Sequence, residues 1–199
     1  LFDDSLFDKD ESVNKKQSKN MQITLFQDQM ELHIEKLFNE QDRLFGENNT
    51  DNKKYLKKEI DKTIDHIIRS KLTNDGNNEG LEKYEESLKQ KTKPYFLWKL
   101  EFAKIFKEKG GFDIVIGNPP YIGFHNVPNK EYFKMKFKSA NGKYDFYVLF
   151  IEKGINLIKK SGYISYICPS YFYKRNYGEQ LRKLILEEVS IKMIADFQD

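Results

Sequence analysis

The sequence predicts an α/β protein, a partial doubly wound parallel sheet preceded by a charged helical segment. Three observations predict it. Apolar residues recur at three- and four-residue intervals through the first half; the register changes at Gly110-Gly111 to a compact β-branched run; and strand, helix, strand, helix, strand then alternate to the end. The 199 residues are 39% hydrophobic, 15% aromatic and 33% charged, with a mean hydropathy of -0.74. That balance argues against a membrane protein and against full disorder. No apolar run approaches the ~18 residues of a bilayer span. The N-terminus carries acids where a signal peptide would need lysines, so a cytoplasmic location is expected. Cys168 stands alone and His33, His66 and His125 are scattered, so no metal site is expected.

The elements follow in order. Residues 1–22 are polar, with few apolar residues to bury, and predict a loose or disordered lead-in. Phe26, Met30, Ile34, Leu37, Phe38, Leu44 and Phe45 mark a helix from Ile23 to Phe45, stopped by Gly46 and Asn48-Asn49. Leu56, Ile60, Ile64, Ile67, Ile68 and Leu72 mark a second helix, closed by the breaker run Asn74 to Asn78. The two form a helix hairpin. Shorter helices are predicted over Leu81–Leu88 and Trp98–Phe106, completing a charged helical segment over 23–108. In the second half, Phe112 to Ile116 reads as a buried strand and Tyr144–Lys159 as a helix. Tyr163–Cys168 follows as a strand closed by Pro169, then Gly178–Glu187 as a helix and Ile191–Phe197 as a last strand.

Charge divides unevenly along the chain. Residues 109–199 hold 14 of the 34 basic and only 9 of the 31 acidic residues, so the overall charge of +3 conceals a basic second half. There Lys130, Lys134, Lys136, Lys138 and Lys143 interleave with Tyr132, Phe133 and Phe137, opposed only by Glu131. Lysines for phosphates beside aromatic rings suit a nucleic-acid surface; a solvated lysine-rich loop explains the same composition.

Ligands of a doubly wound sheet bind beyond the carboxyl ends of its strands. Beyond Ile116 stands Gly117-Asn118-Pro119-Pro120-Tyr121. Consecutive prolines fix their own φ, hold the preceding residue extended and carry no N–H, so the turn is stiff and presents carbonyls. An amide side chain, a carbonyl and an aromatic face within four residues suit a flat heterocycle bearing an exocyclic amine. Asn118 and Pro119 oxygens can accept its two hydrogens, and Tyr121 can stack on the ring. A tight turn with a capping Asn is the plainer alternative.

Phe112 to Ile122, with Asn118-Pro119-Pro120-Tyr121 at its centre, resembles the catalytic motif of amino-group methyltransferases that modify adenine in DNA. The resemblance extends to Pro94–Phe102, similar to the aromatic lead-in of methyltransferase regions in type IIG restriction-modification enzymes. It includes Lys143-Tyr144-Asp145-Phe146-Tyr147-Val148-Leu149-Phe150 and Gly162 to Pro169, which resemble the family's next two motifs. It implies a Rossmann-like fold and methyl transfer from S-adenosylmethionine to a flipped adenine. Asn118, Pro119, Pro120 and Tyr121 would be catalytic, while Asp145, Tyr147 and Phe150 would help form the cofactor pocket, Phe150 against the cofactor's adenine. Lys134, Lys136, Lys138 and Lys143 would meet double-stranded DNA. Asp145 could equally be a helix-terminal acid.

The departures shape the expectation. No Gly-x-Gly occurs, although the family binds the methionine end of its cofactor with a glycine-rich loop, and the chain begins with Leu. A prokaryotic fragment comprising the catalytic half of the domain over 109–199 is therefore expected, partnered by the remainder of its parent polypeptide. The second aromatic flanking the base is then expected beyond Asp199. No Glu-x-Lys of a metal-dependent nuclease core occurs either. A protein glutamine N-methyltransferase shares Asn-Pro-Pro-Tyr, although the lysine-rich insertion and the Trp98–Phe102 lead-in argue against it. A non-catalytic packing or DNA-contact module is the other alternative.

Overall fold

The structure is a computed structural model describing residues 17–91, 93 and 95–197, with side chains from Phe26 onward. It divides into two compact units, Leu1–Glu108 and Lys109–Asp199.

The first unit is helical. Helix α1 (Gln17–Gly46) and helix α2 (Thr50–Asn74) form the expected hairpin. Asn49 caps α2, its side-chain oxygen accepting the amides of Asp51 and Asn52 at 2.9 and 3.1 Å. Helix α1 begins at Gln17, so 17–22 is helical rather than loose; the expectation for 1–16 lies outside the described residues. Asn77 caps helix α3 (Asn78–Leu88). The helix expected over Trp98–Phe106 is two pieces, α4 (Trp98–Glu101) and α5 (Ala103–Lys109), because Phe102 leaves helical geometry at φ -124°, ψ 38°. Leu37, Ile60, Ile64, Ile67, Ile68, Leu72, Tyr84, Leu97 and Leu100 make one buried cluster. Beside it, Thr63 donates to Glu40 at 2.8 Å and the Gln41 side-chain nitrogen donates to the Leu100 carbonyl at 2.7 Å, while the buried Gln41 Oε1 has no partner among the described residues.

The second unit is α/β. Strand β1 (Phe112–Gly117) pairs in parallel with strand β2 (Ile158–Tyr166), Ile114 opposite Tyr163 and Gly117 opposite Tyr166. Parallel neighbours need a crossover, and helix α6 (Lys130–Lys136) and helix α7 (Tyr147–Leu157) lie on it. Helix α8 (Glu179–Glu188) follows. Val148, Leu149, Ile151 and Ile155 of α7 meet Leu181 and Leu184 of α8 in the core, with Ile164 and Tyr166 packed on from the sheet. The opposite face bears exposed Ile114, Ile116 and Tyr163, so β1, expected to be a buried strand, is covered on one face only among the described residues.

Three further expectations change here. The crossover helix ends at Leu157 rather than Lys159, and β2 starts at once with Ile158 opposite Phe112. Lys159 then sits on the strand, where Asp113 takes its ammonium at 2.5 Å. Helix α6 orders part of what reads as loop in the sequence. Residues 191–197 form no strand: Ile191, Met193, Ile194 and Phe197 are exposed, and the described sheet has two strands. A strand exists only by hydrogen bonding to a neighbour, and an apolar pattern cannot supply one. The fold is therefore α/β with a small parallel sheet in the described residues. No helix among them is long and apolar enough to cross a membrane.

Candidate functional site

The site is built at the carboxyl end of β1. Ladder pairing continues one step past β2, where the Ile167 amide donates to the Gly117 carbonyl at 3.1 Å. Immediately after Gly117 the turn begins, with Asn118 exposed, Pro119 buried as its anchor and Pro120 exposed. Tyr121 is 56% exposed, and its hydroxyl donates to the Ile167 carbonyl at 3.2 Å. That bond holds the phenol beside the end of β2 while leaving ring surface open.

Two small residues shape the layer beneath. The Tyr166 ring lies against Gly117 of β1 and Gly154 of α7, so a Cβ at Gly117 would stand 2.8 Å from the ring. Its hydroxyl donates to the Phe150 carbonyl at 3.1 Å, tying the sheet to the turn of α7 that carries Phe150. Burial raises the Tyr166 phenol above its ordinary pKa, as it does the Cys168 thiol, so both are neutral near pH 7.

The proline turn is joined to the head of α7. The Phe146 amide donates to the Ile122 carbonyl at 2.8 Å. Asp145 stands just before the helix, its backbone carbonyl accepting the Val148 amide at 3.2 Å. Phe150 lies one turn on with an exposed ring, packed edge-on against Phe146 at 5.4 Å between centroids.

Tyr147 is placed differently from Asp145 and Phe150. Its side chain is fully buried in the core. Its hydroxyl accepts the Phe172 amide at 3.1 Å and lies 3.2 Å from the Tyr177 hydroxyl, which donates to Asp145 Oδ2 at 2.7 Å. Tyr177 has one proton and the carboxylate takes it, so Tyr147 donates to Tyr177. A directed chain of hydrogen bonds thus runs from the Phe172 amide through two phenols to Asp145. Burial pushes the Tyr147 phenol up to about 12 and Tyr177 further still, keeping both as neutral donors.

The lysine-rich segment is fixed by a buried acid. Glu152 of α7 accepts the amides of Lys138 and Ser139 at 3.0 and 2.7 Å, satisfying its carboxylate with backbone donors. The four lysines are exposed, but not equivalent. Lys134 pairs with Glu131 at 2.8 Å, whereas neither Lys138 nor Lys143 has an acidic partner among the described residues.

Tyr166 falls within the Gly162 to Pro169 motif without being given a role there, and Tyr177 and the Tyr171–Arg175 segment lie outside the sequence motifs. A signal for the last is present, since three aromatic residues, Tyr171 to Tyr173, run directly into Lys174 and Arg175 shortly after Pro169. Tyr177 has none, because its partner Asp145 is 32 residues away.

Comparison with known proteins gives a family match over residues 6–199, to the model described as Eco57I restriction-modification methylase. The chain is 38% identical over 91 residues to the type II restriction enzyme and methyltransferase RM.Eco57I of Escherichia coli, covering 43% of this chain and 9% of that protein. It is 36% identical over 105 residues to a putative type II restriction enzyme and methyltransferase of Methanocaldococcus jannaschii, covering 53% of this chain and 8% of that protein. To the type II methyltransferase M.BstVI of Geobacillus stearothermophilus it is 29% identical over 104 residues, 51% of this chain and 18% of the relative. The chain thus spans less than a fifth of each of these relatives.

Proposed function

We propose, for a chain that belongs to the Eco57I restriction-modification methylase family, that it is the catalytic part of an adenine-specific DNA methyltransferase within a prokaryotic, cytoplasmic restriction-modification enzyme. In this reading residues 109–199 are part of a larger doubly wound, Rossmann-like sheet, and 23–108 a helical insertion. The observation that carries it is the turn Asn118–Tyr121 at the carboxyl end of β1, with the open ring of Tyr121 held at Ile167 and the turn tied through Ile122 to the head of α7.

The target adenine leaves the duplex, at an unstacking cost of a few kcal/mol, and stacks on Tyr121. Asn118 Oδ1 and the Pro119 carbonyl accept the two hydrogens of its exocyclic amine. This draws the nitrogen lone pair out of conjugation and stabilises the positive charge that develops on nitrogen. Pro120 stiffens the turn that aims both acceptors. S-adenosylmethionine, when bound, supplies an electrophilic methyl group. The residues at the head of α7 fit it: Phe150 offers an open ring for a purine, and Asp145 keeps Oδ1 without a partner among the described residues. Tyr147 supports that pocket from behind by holding Tyr177. Lys134, Lys136, Lys138 and Lys143 meet DNA phosphates.

The test is transfer of labelled methyl from S-adenosylmethionine to an adenine-containing duplex by the full-length protein that carries this chain. Asn118→Ala should lower the single-turnover rate on the order of 10²- to 10³-fold, by analogy with removing one preorganised oxyanion-hole donor, with DNA and cofactor binding changed far less. Label appearing on a protein glutamine, or an Asn118→Ala variant working at the parental rate, would overturn the reading.

A further inference from the structure

We propose that Tyr171–Arg175 is a second DNA-binding surface, flanking the proline turn on the side away from the lysine-rich segment in sequence, with Lys174 and Arg175 on backbone phosphates and Tyr171 stacked against a nucleotide. The proposal rests on the reading of the site as a DNA methyltransferase and extends it to residues outside the catalytic turn.

The segment leaves the sheet at the residue that holds Tyr121. Ile167 accepts the Tyr121 hydroxyl through its carbonyl and donates its amide to Gly117, so the chain running on to Tyr171 starts beside the catalytic turn. The short 3-10 turn Ser170–Tyr173 then buries a single anchor, Phe172. Its amide is taken by Tyr147 at 3.1 Å and its carbonyl by Arg182 Nη1 at 2.5 Å; Arg182 also reaches the Arg175 carbonyl at 3.0 Å. The Tyr171 carbonyl accepts the amides of both Lys174 and Arg175. Backbone is therefore gripped at 171, 172 and 175, while the side chains between and around the anchor face solvent.

Those side chains are of one kind. Tyr171 is 58% exposed, and Tyr173, packed on Phe172 at 4.3 Å, is also exposed. Lys174 and Arg175 are exposed and have no acidic partner among the described residues. Two adjacent unpaired cations and an open phenol on a clamped backbone match a polyanion with stackable rings, and the ordering cost of presenting them has been met in folding. An acidic protein partner would find the cations but leave the phenol without a role.

The experiment measures binding of a fluorescent adenine-containing duplex to the full-length protein across a salt series, with methyl transfer in parallel. The double change Lys174→Ala, Arg175→Ala should weaken all duplexes alike and flatten the salt slope by about 0.9 for each phosphate that is no longer neutralised. Tyr171→Ala should weaken binding roughly tenfold with the slope retained. Lys160→Ala, the loss of one exposed lysine charge at the beginning of β2, should change neither. Because the altered side chains are exposed, unchanged thermal melts are expected. A protein that binds and methylates DNA with an unaltered slope in the double variant overturns the surface and leaves the methyltransferase reading standing. A parent that neither binds nor methylates DNA removes both.

Discussion

The Tyr177 hydroxyl donates to Asp145 Oδ2 at 2.7 Å, across 32 residues of sequence. This bond decides how Asp145 is presented, because the phenol is itself held by Tyr147 in the core. Asp145 is thus oriented by a fixed donor instead of rotating freely at a helix head.

Tyr177→Phe keeps the ring and removes both hydroxyl contacts. Loss of two partly buried hydrogen bonds, which leaves the buried Tyr147 hydroxyl without its acceptor, should cost about 1–3 kcal/mol of stability. If Asp145 contacts the cofactor as proposed, affinity for S-adenosylmethionine should also fall several-fold while the single-turnover rate at saturation changes little. Urea unfolding and calorimetric titration of the full-length protein separate the two effects. Unchanged cofactor affinity would make Asp145 a structural acid only.

Tyr121 carries two separable features, a ring and a hydroxyl bonded to Ile167. Tyr121→Ala removes a stacking face worth ~1–3 kcal/mol per base, and should weaken capture of the flipped adenine. Tyr121→Phe removes only a solvent-exposed hydrogen bond and should retain most activity. Fluorescence of 2-aminopurine at the target position reports capture for both. Equal damage from Phe and Ala would mean that the Ile167 bond, and not stacking, is what the turn requires.

Asp113 lies between Lys159 and Lys109, and these two ammonium groups hold its carboxyl at about 2, below the ordinary 3.8. A depressed carboxylate stabilises the fold fully above its unfolded-state pKa, and that contribution disappears as pH falls through the folded value. The unaltered chain should therefore exceed Asp113→Asn in urea midpoint at pH 5, with the gap closing between about pH 4 and pH 2. A gap that stays constant across this window would show that the ion pairs are not its source.

The helix hairpin is legible in the amino-acid order alone, since the apolar stripes from Phe26 to Leu72 are local and Gly46, Asn49 and the 74–78 breakers punctuate them. So are β1 and the turn after it, because a β-branched run followed by two prolines leaves few backbone choices. Where α7 gives way to β2 is settled by contacts distant in the chain: pairing of Ile158 with Phe112 and the Asp113–Lys159 ion pair convert expected helix into strand. The same holds at the other end, where the largely apolar residues 191–197 remain unpaired among the described residues and form no strand. The different roles at the head of α7 are equally hidden in the sequence. Tyr147 and Phe150 lie three positions apart on the helix, yet one is enclosed by Phe172 and Tyr177 and the other is open. Periodicity places a residue on a helix face, but what covers that face comes from segments remote in sequence.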